Sequence, residues 1–274
     1  MMNEIEKKIH YCWFGKSELT DKTKKCIESW KKFCPDYEIV RWDEDNFDFS
    51  DCRYATQAYS MKKWAFVSDY ARFVILYENG GIYFDTDVEL IKPIDDIVAN
   101  GAFMGCQPGI KMEIAPGLGI GTSKGDELYK EIIEYYKSQN FIEDGNMNLH
   151  TVVDRVTKIL RNEGFVGSGE IEKVRNISIY PPEYFCPINC FTNEVVITEK
   201  TRSIHHYSAS WLDKDERKIM DKVTVVEKKY GRIPAMITKN VFYICKEAKT
   251  GGIYGVFKYI RNKLYNKLYK KELF

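Results

Sequence analysis

The chain has 274 residues, 44% of them hydrophobic and 14% aromatic, which is enough apolar side chain for one large domain with a full core. Its 41 Lys and Arg against 40 Asp and Glu leave a net charge of +1, a balance that speaks against a nucleic-acid-binding protein. No run approaches the roughly 18 apolar residues of a membrane span, and the charged start Met1 to Lys8 leads into no signal-peptide core, so a cytoplasmic protein is expected.

Lys8 to Gly15 (KIHYCWFG) reads as a first strand running into a loop, with Ile9, Tyr11 and Trp13 alternating. Trp13 then lies where the strand leaves the sheet, and ligands of open α/β sheets bind outside the carboxyl ends of strands. Asp21 to Phe33 is an amphipathic helix ended by Pro35, and Tyr37 to Trp42 is a second strand followed by the acidic turn Asp43 to Asn46. Tyr54 to Met61 is a further helix. From Trp64 to Glu78 the apolar residues Phe66, Val67, Phe73, Val74, Leu76 and Tyr77 recur at spacings of three and four, the period of a helix with a buried face. Asp69 and Arg72 share one surface of that helix, so a carboxylate and a guanidinium can address one ligand or each other.

Gly80-Gly81 stops the helix, since glycine accepts left-handed cap geometry. Ile82 to Phe84 is a short β run, and Asp85-Thr86-Asp87 follows it. An extended backbone there would turn both aspartates to one side, presenting paired carboxylates at a strand end. Such hard oxygen ligands suit Mg²⁺ or Mn²⁺, which bind carboxylates together with a substrate's phosphates.

Val88 to Ile91 continues the chain, Lys92-Pro93 turns it, and Gly101 to Cys106 is a strand. The glycine-rich stretch from Glu113 to Lys124 is neither a dinucleotide fingerprint nor a P-loop, so a diphosphate would have to be held by metal. Glu127 to Ser138 and Thr151 to Asn162 read as helices and Ile177 to Tyr180 as a strand. Pro181-Pro182 breaks that strand, and Tyr184 to Phe191 is irregular. In Ser203 to Trp211 (SIHHYSASW) the adjacent His205 and His206 face opposite sides of a strand, so at most one joins a metal. Eight cysteines without a C-x-x-C pair point to free, largely buried thiols.

The order S-D-x-x-R at Ser68 to Arg72, then G-G-I-Y-x-D-x-D at Gly80 to Asp87, resembles glycosyltransferase family thirty-two, the sugar-transferase family with the D-x-D motif. That family includes yeast-type mannosyltransferases, bacterial capsule and lipopolysaccharide enzymes and, more distantly, the glucosyltransferase domain of clostridial toxins. Its opening I-H-x-x-W-x-G is matched by Ile9, His10, Trp13 and Gly15, its W-x-x-x-N by Trp42 and Asn46, and its H-x-x-x-S-W by His206, Ser210 and Trp211. The T-G-P sequence frequent in the family is missing, so acceptor contacts from Asn146 to Asp154 rest on position alone.

The resemblance implies an α/β fold of the GT-A type, a mixed central sheet flanked by helices, with a catalytic domain over 1–240 and a helical extension over 241–274. It implies a metal-dependent, retaining hexosyl transfer from a nucleoside diphosphate sugar, a UDP-hexose favoured, to a glycan hydroxyl. Mn²⁺ or Mg²⁺ would be held by Asp85, Asp87 and His206. Asp69 would bond the sugar's hydroxyls and Arg72 the sugar or phosphate. Trp13 and Tyr11 would take the nucleotide, while Ser210 and Trp211 would close over the donor. A glycoside hydrolase and a catalytically silent nucleotide-sugar-binding module are the alternatives. Finally, Lys258 to Phe274 holds six basic residues against Glu272 alone, with Phe257, Ile260, Leu264 and Leu268 at helical spacing. That pattern predicts a basic amphipathic helix lying at a membrane surface, where lipid-linked capsule acceptors reside.

Overall fold

The computed structural model describes residues 4–109, 111–143, 145–188 and 194–207, with scattered residues from 218 to 260. The chain divides into two compact units, Met1–Ser208 and Ala209–Phe274. The first unit begins with β1 (Lys8–Cys12), α1 (Asp21–Phe33), β2 (Glu38–Trp42), α2 (Arg53–Ser60), α3 (Trp64–Asn79), β3 (Gly81–Tyr83) and β4 (Val88–Leu90). It continues through α4 (Asp95–Val98), β5 (Phe103–Gln107), β6 (Glu113–Ile114), β7 (Ile120–Thr122), α5 (Glu127–Lys137) and a hairpin of β8 (Ile142–Glu143) and β9 (Asn146–Met147). The last elements are α6 (Val152–Asn162), β10 (Glu172–Val174), β11 (Ile177–Tyr180), α7 (Pro182–Phe185) and β12 (Ser203–His205).

The central sheet has the order β10-β11-β5-β7-β3-β1-β2, with β6 added on β5. β1 runs parallel to β2 and β3, and β11 parallel to β5, while β7 is antiparallel to both β3 and β5. This is the mixed sheet flanked by helices that the sequence leads one to expect. Successive strand residues alternate between two apolar cores. Cys12, Tyr83 and Met104 join Tyr54, Phe73, Tyr136 and Leu160 of α2, α3, α5 and α6, whereas Tyr11, Ile82 and Phe103 join Trp30, Ile97 and Phe185 of α1, α4 and α7.

Local chemistry fixes the ends of the elements. Thr20 caps α1 by accepting from the Thr23 amide at 3.2 Å, and Thr151 and Asp154 form a reciprocal capping box at the start of α6. α3 is buried nearly all round, from Phe66 to Leu76, and is the central helix of the unit. Gly80, at φ 67°, ends it with its amide 2.8 Å from the Leu76 carbonyl. At Gly81 a Cβ would stand 2.9 Å from His10 Nε2, too close to be accommodated.

Several short elements went unread in the sequence. The glycine-rich stretch contains β6 and β7, and of Tyr184 to Phe191, expected to be irregular, the first two residues belong to the short helix α7, which has proline at its first turn and follows the strand break expected at Pro181-Pro182. The strand β10 and the helix α4 are too short to leave a period in the sequence. In the second unit residues 234–246 are helical. Among the described residues no helix is long and apolar enough to cross a membrane, and Cys12, Cys26, Cys34, Cys52, Cys106 and Cys186 are free and buried while Cys245 is exposed. The basic tail from Lys258 lies, apart from Ile260, outside the described residues.

Candidate active site

β3 delivers Asp85, but the D-x-D segment is not extended. Thr86 and Asp87 form a turn closed by the Val88 amide, which donates to the Asp85 carbonyl at 3.1 Å. The cause is topological, because the chain leaves the central sheet here and enters the separate ladder of β4 with β12. The two carboxylates consequently take different partners instead of pointing together. Asp85 Oδ1 accepts from the Tyr83 hydroxyl at 3.1 Å and lies 3.3 Å from Arg72 Nη2, and its amide donates to the Gly117 carbonyl at 2.9 Å. The backbone at Gly117 approaches so closely that any Cβ there would overlap the Asp85 carboxylate.

Arg72 is 2% exposed and bridges two acids, its Nη2 standing 2.9 Å from Asp69 Oδ1 as well as 3.3 Å from Asp85 Oδ1. Its Nε donates to the Ser68 carbonyl at 3.0 Å, and the guanidinium lies 4.9 Å from the centre of the Tyr83 ring. Burial works against its charge, but Asp85, Tyr83 and Asp69 outweigh that and hold it protonated. Nη1 is buried and has no hydrogen-bond partner among the described residues. Asp69, buried beside it, has its carboxyl pushed up to about 6 by burial, against the pull of Arg72 and of an amide bond from Val152 at the start of α6.

His205 Nε2 lies 3.0 Å from Asp87 Oδ1, whereas His206 Nε2 lies 2.7 Å from Glu89 Oε2. Strand alternation separates the two rings as expected, but it is His205, not His206, that meets the D-x-D carboxylate. His205 Nδ1 is buried and unpartnered among the described residues.

Trp13 lies just past the carboxyl end of β1, half-buried, with its Nε1 donating to the Ser17 carbonyl at 2.7 Å. Tyr11 is buried against Trp30 at 5.8 Å between ring centres, and burial raises its hydroxyl pKa. Ser210 and Trp211 lie outside the described residues. His10 is a structural group: Nε2 donates to the Gly80 carbonyl and Nδ1 accepts from Trp42 Nε1, both at 3.0 Å, and burial lowers its pKa to about 4.

Arg155 escaped the sequence reading. It is 4% exposed on α6, and it donates to the His150 carbonyl at 3.1 Å, Asn148 Oδ1 at 3.1 Å and the Tyr135 hydroxyl at 3.0 Å. The guanidinium also lies 5.1 Å from the centre of the Tyr54 ring. It therefore ties the 148–150 segment to the helix whose first amide holds Asp69. The signal was present: Arg155 falls on the apolar stripe Val152, Val156, Leu160, where a charge is out of place.

Residues 20–104 match the family model for the glycosyltransferase sugar-binding region containing the DXD motif. The match covers under a third of the chain, which over these residues is similar to that DXD glycosyltransferase family. Inositol phosphoceramide mannosyltransferase 1 of Schizosaccharomyces pombe is 26% identical over 114 residues, which cover 38% of this chain. The match spans 34% of that relative's length. Among solved structures, the PaToxG glycosyltransferase has a TM-score of 0.45 at 21% identity, covering 60% of this chain and 71% of that one. A glycosyltransferase involved in glycosylating the major capsid of PBCV-1 has a TM-score of 0.42 at 13% identity, covering 77% and 98%. The DXD region contains Asp69, Arg72, Asp85 and Asp87, while Trp13, Gly117, Arg155 and His205 come from outside it.

The donors present suit a divalent cation. Two carboxylates separated by one residue and an imidazole whose second nitrogen has no partner among the described residues supply hard oxygen and nitrogen ligands of the kind Mg²⁺ and Mn²⁺ accept. Among the described residues no three His, Cys, Asp or Glu side chains converge, so phosphate oxygens would fill the remaining positions.

Proposed function

We propose that this chain transfers a hexosyl group from a nucleoside diphosphate sugar, a UDP-hexose favoured, to the hydroxyl of a glycan acceptor, with retention at the anomeric carbon. The single observation that carries the reading is the Asp69–Arg72–Asp85 bridge, in which one buried guanidinium, its Nη1 without a partner among the described residues, stands between a helix carboxylate and the first aspartate of D-x-D. Asp69 accepts from the donor sugar's hydroxyls, and Arg72 Nη1 donates to a sugar or phosphate oxygen. Trp13, at the carboxyl end of β1, offers its indole face to the base. Asp85, Asp87 and His205 would supply ligands to Mn²⁺ or Mg²⁺ alongside the diphosphate oxygens, and the cation would offset charge on the departing diphosphate.

In the reaction the acceptor oxygen forms its bond to the anomeric carbon on the face from which the diphosphate oxygen leaves, and the hydroxyl proton passes to that phosphate. The two acids are bridged by a single guanidinium rather than set on either side of a sugar, which favours transfer over glycoside hydrolysis. A lipid-linked capsule or lipopolysaccharide acceptor fits an enzyme whose C-terminal extension, 241–274, brings it to the inner face of the membrane.

A thermal-shift panel of UDP- and GDP-sugars with and without Mn²⁺ tests the assignment, since a ligand that binds the native state raises its unfolding temperature by mass action. A shift that needs both a sugar nucleotide and Mn²⁺ is expected. Absence of any shift across the panel contradicts the reading.

A further inference from the structure

The net charge of +1 conceals a separation. Ala209–Phe274 carries sixteen Lys and Arg against seven Asp and Glu, a side-chain charge of +9, while Met1–Ser208 carries twenty-five against thirty-three, or −8. Within the basic unit the helix at 234–246 exposes part of its apolar side chain, while Phe242, Tyr243 and Ile244 are half-buried. Ile237 is 54% exposed, Val241 53% and Met236 56%, and Cys245 is exposed too, whereas the small Ala235 is buried. Ile237, Val241 and Cys245 follow one another at spacings of four and form a single stripe along the helix. A helix that packs on its own protein turns such a stripe inward, and among the described residues this one has no partner.

We propose that the unit Ala209–Phe274 is a membrane-surface module, in which the stripe of Ile237, Val241 and Cys245 enters the interface of an anionic bilayer while the unit's excess of Lys and Arg draws it to the headgroups. Charge selects this occupant over the others. A second copy would set +9 against +9 across a twofold interface, which repels. A nucleic acid would satisfy the lysines but gives exposed aliphatic side chains nothing to enter, whereas a bilayer interface takes both. The proposal extends to the whole unit the membrane placement proposed above for 241–274 and rests on that part of the reading, not on the proposed reaction.

The test uses the full chain with vesicles of phosphatidylcholine alone or mixed with phosphatidylglycerol, and no sugar nucleotide. Binding to the mixed vesicles only, weakened by salt, is expected. Ile237→Glu with Val241→Glu should lower that binding about ten-fold or more, because two aliphatic side chains leave the interface, with no change in unfolding temperature. An environment-sensitive fluorophore on Cys245, in a Cys190→Ser background, should shift to the blue when mixed vesicles are added. The proposal is overturned by failure of the full chain to bind mixed vesicles at low salt, by undiminished binding of the double variant, or by a label that does not shift. Tighter binding to duplex DNA or RNA than to vesicles, or a dimer abolished by the double variant, would overturn it as well.

Discussion

Two histidines of this chain sit beside hydrogen-bonding partners and do opposite jobs. His10 is locked as the neutral ring between the Gly80 carbonyl and Trp42 Nε1, with its pKa lowered to about 4. Because the unfolded chain takes up the proton near pH 6.5, the folded state binds fewer protons between the two values, and stability falls as pH drops from 6.5 towards 4. The full effect is about 3 kcal/mol. In His10→Gln this part of the pH dependence should vanish, so chemical denaturation across that range should show the gap between wild type and variant shrinking as the pH falls. A gap that stays constant would mean His10 titrates normally in the fold. His205 is the other case. If it completes the cation site with Asp87, His205→Ala should raise the Mn²⁺ concentration needed for half-maximal turnover several-fold more than His206→Ala does, and the reverse order would return the role to His206.

At the scale of elements, the run from α3 through β3 was legible because its signals are local: a 3.6-residue period, a glycine pair and a short apolar run. What followed was not. The turn at Thr86-Asp87 arises because β4 pairs with β12, more than a hundred residues further along, and no local pattern records such a pairing. The same distance hid which histidine meets Asp87, and it hid the use of the glycine-rich stretch. That stretch supplies β7 and lets the backbone at Gly117 meet Asp85. Gly117→Ala should therefore displace Asp85 and reduce turnover by an order of magnitude or more while far-ultraviolet circular dichroism stays native. Full activity in that variant would show that Asp85 is free to move. Arg155→Met should loosen the 148–150 segment against α6, raising the acceptor KM more than the donor KM. Equal effects on both would make Arg155 a stability residue only.

For the whole molecule, the mixed α/β architecture could be anticipated because strands and helices alternate along the first unit. The division of charge between the two units could not be seen in the net value, since two large opposite charges cancel to +1. The proposed chemistry joins parts from both ends of the first unit: Trp13 just after β1, Asp69 and Arg72 from α3, Asp85 and Asp87 after β3, and His205 from β12. The most direct measurement is release of nucleoside diphosphate and glycosylation of an acceptor glycan from a panel of sugar nucleotides with Mn²⁺, for wild type and Asp87→Asn side by side. The account predicts turnover by wild type that chelation abolishes, and a folded Asp87→Asn protein in which both products are lost. Normal Mn²⁺-dependent turnover by Asp87→Asn would contradict it.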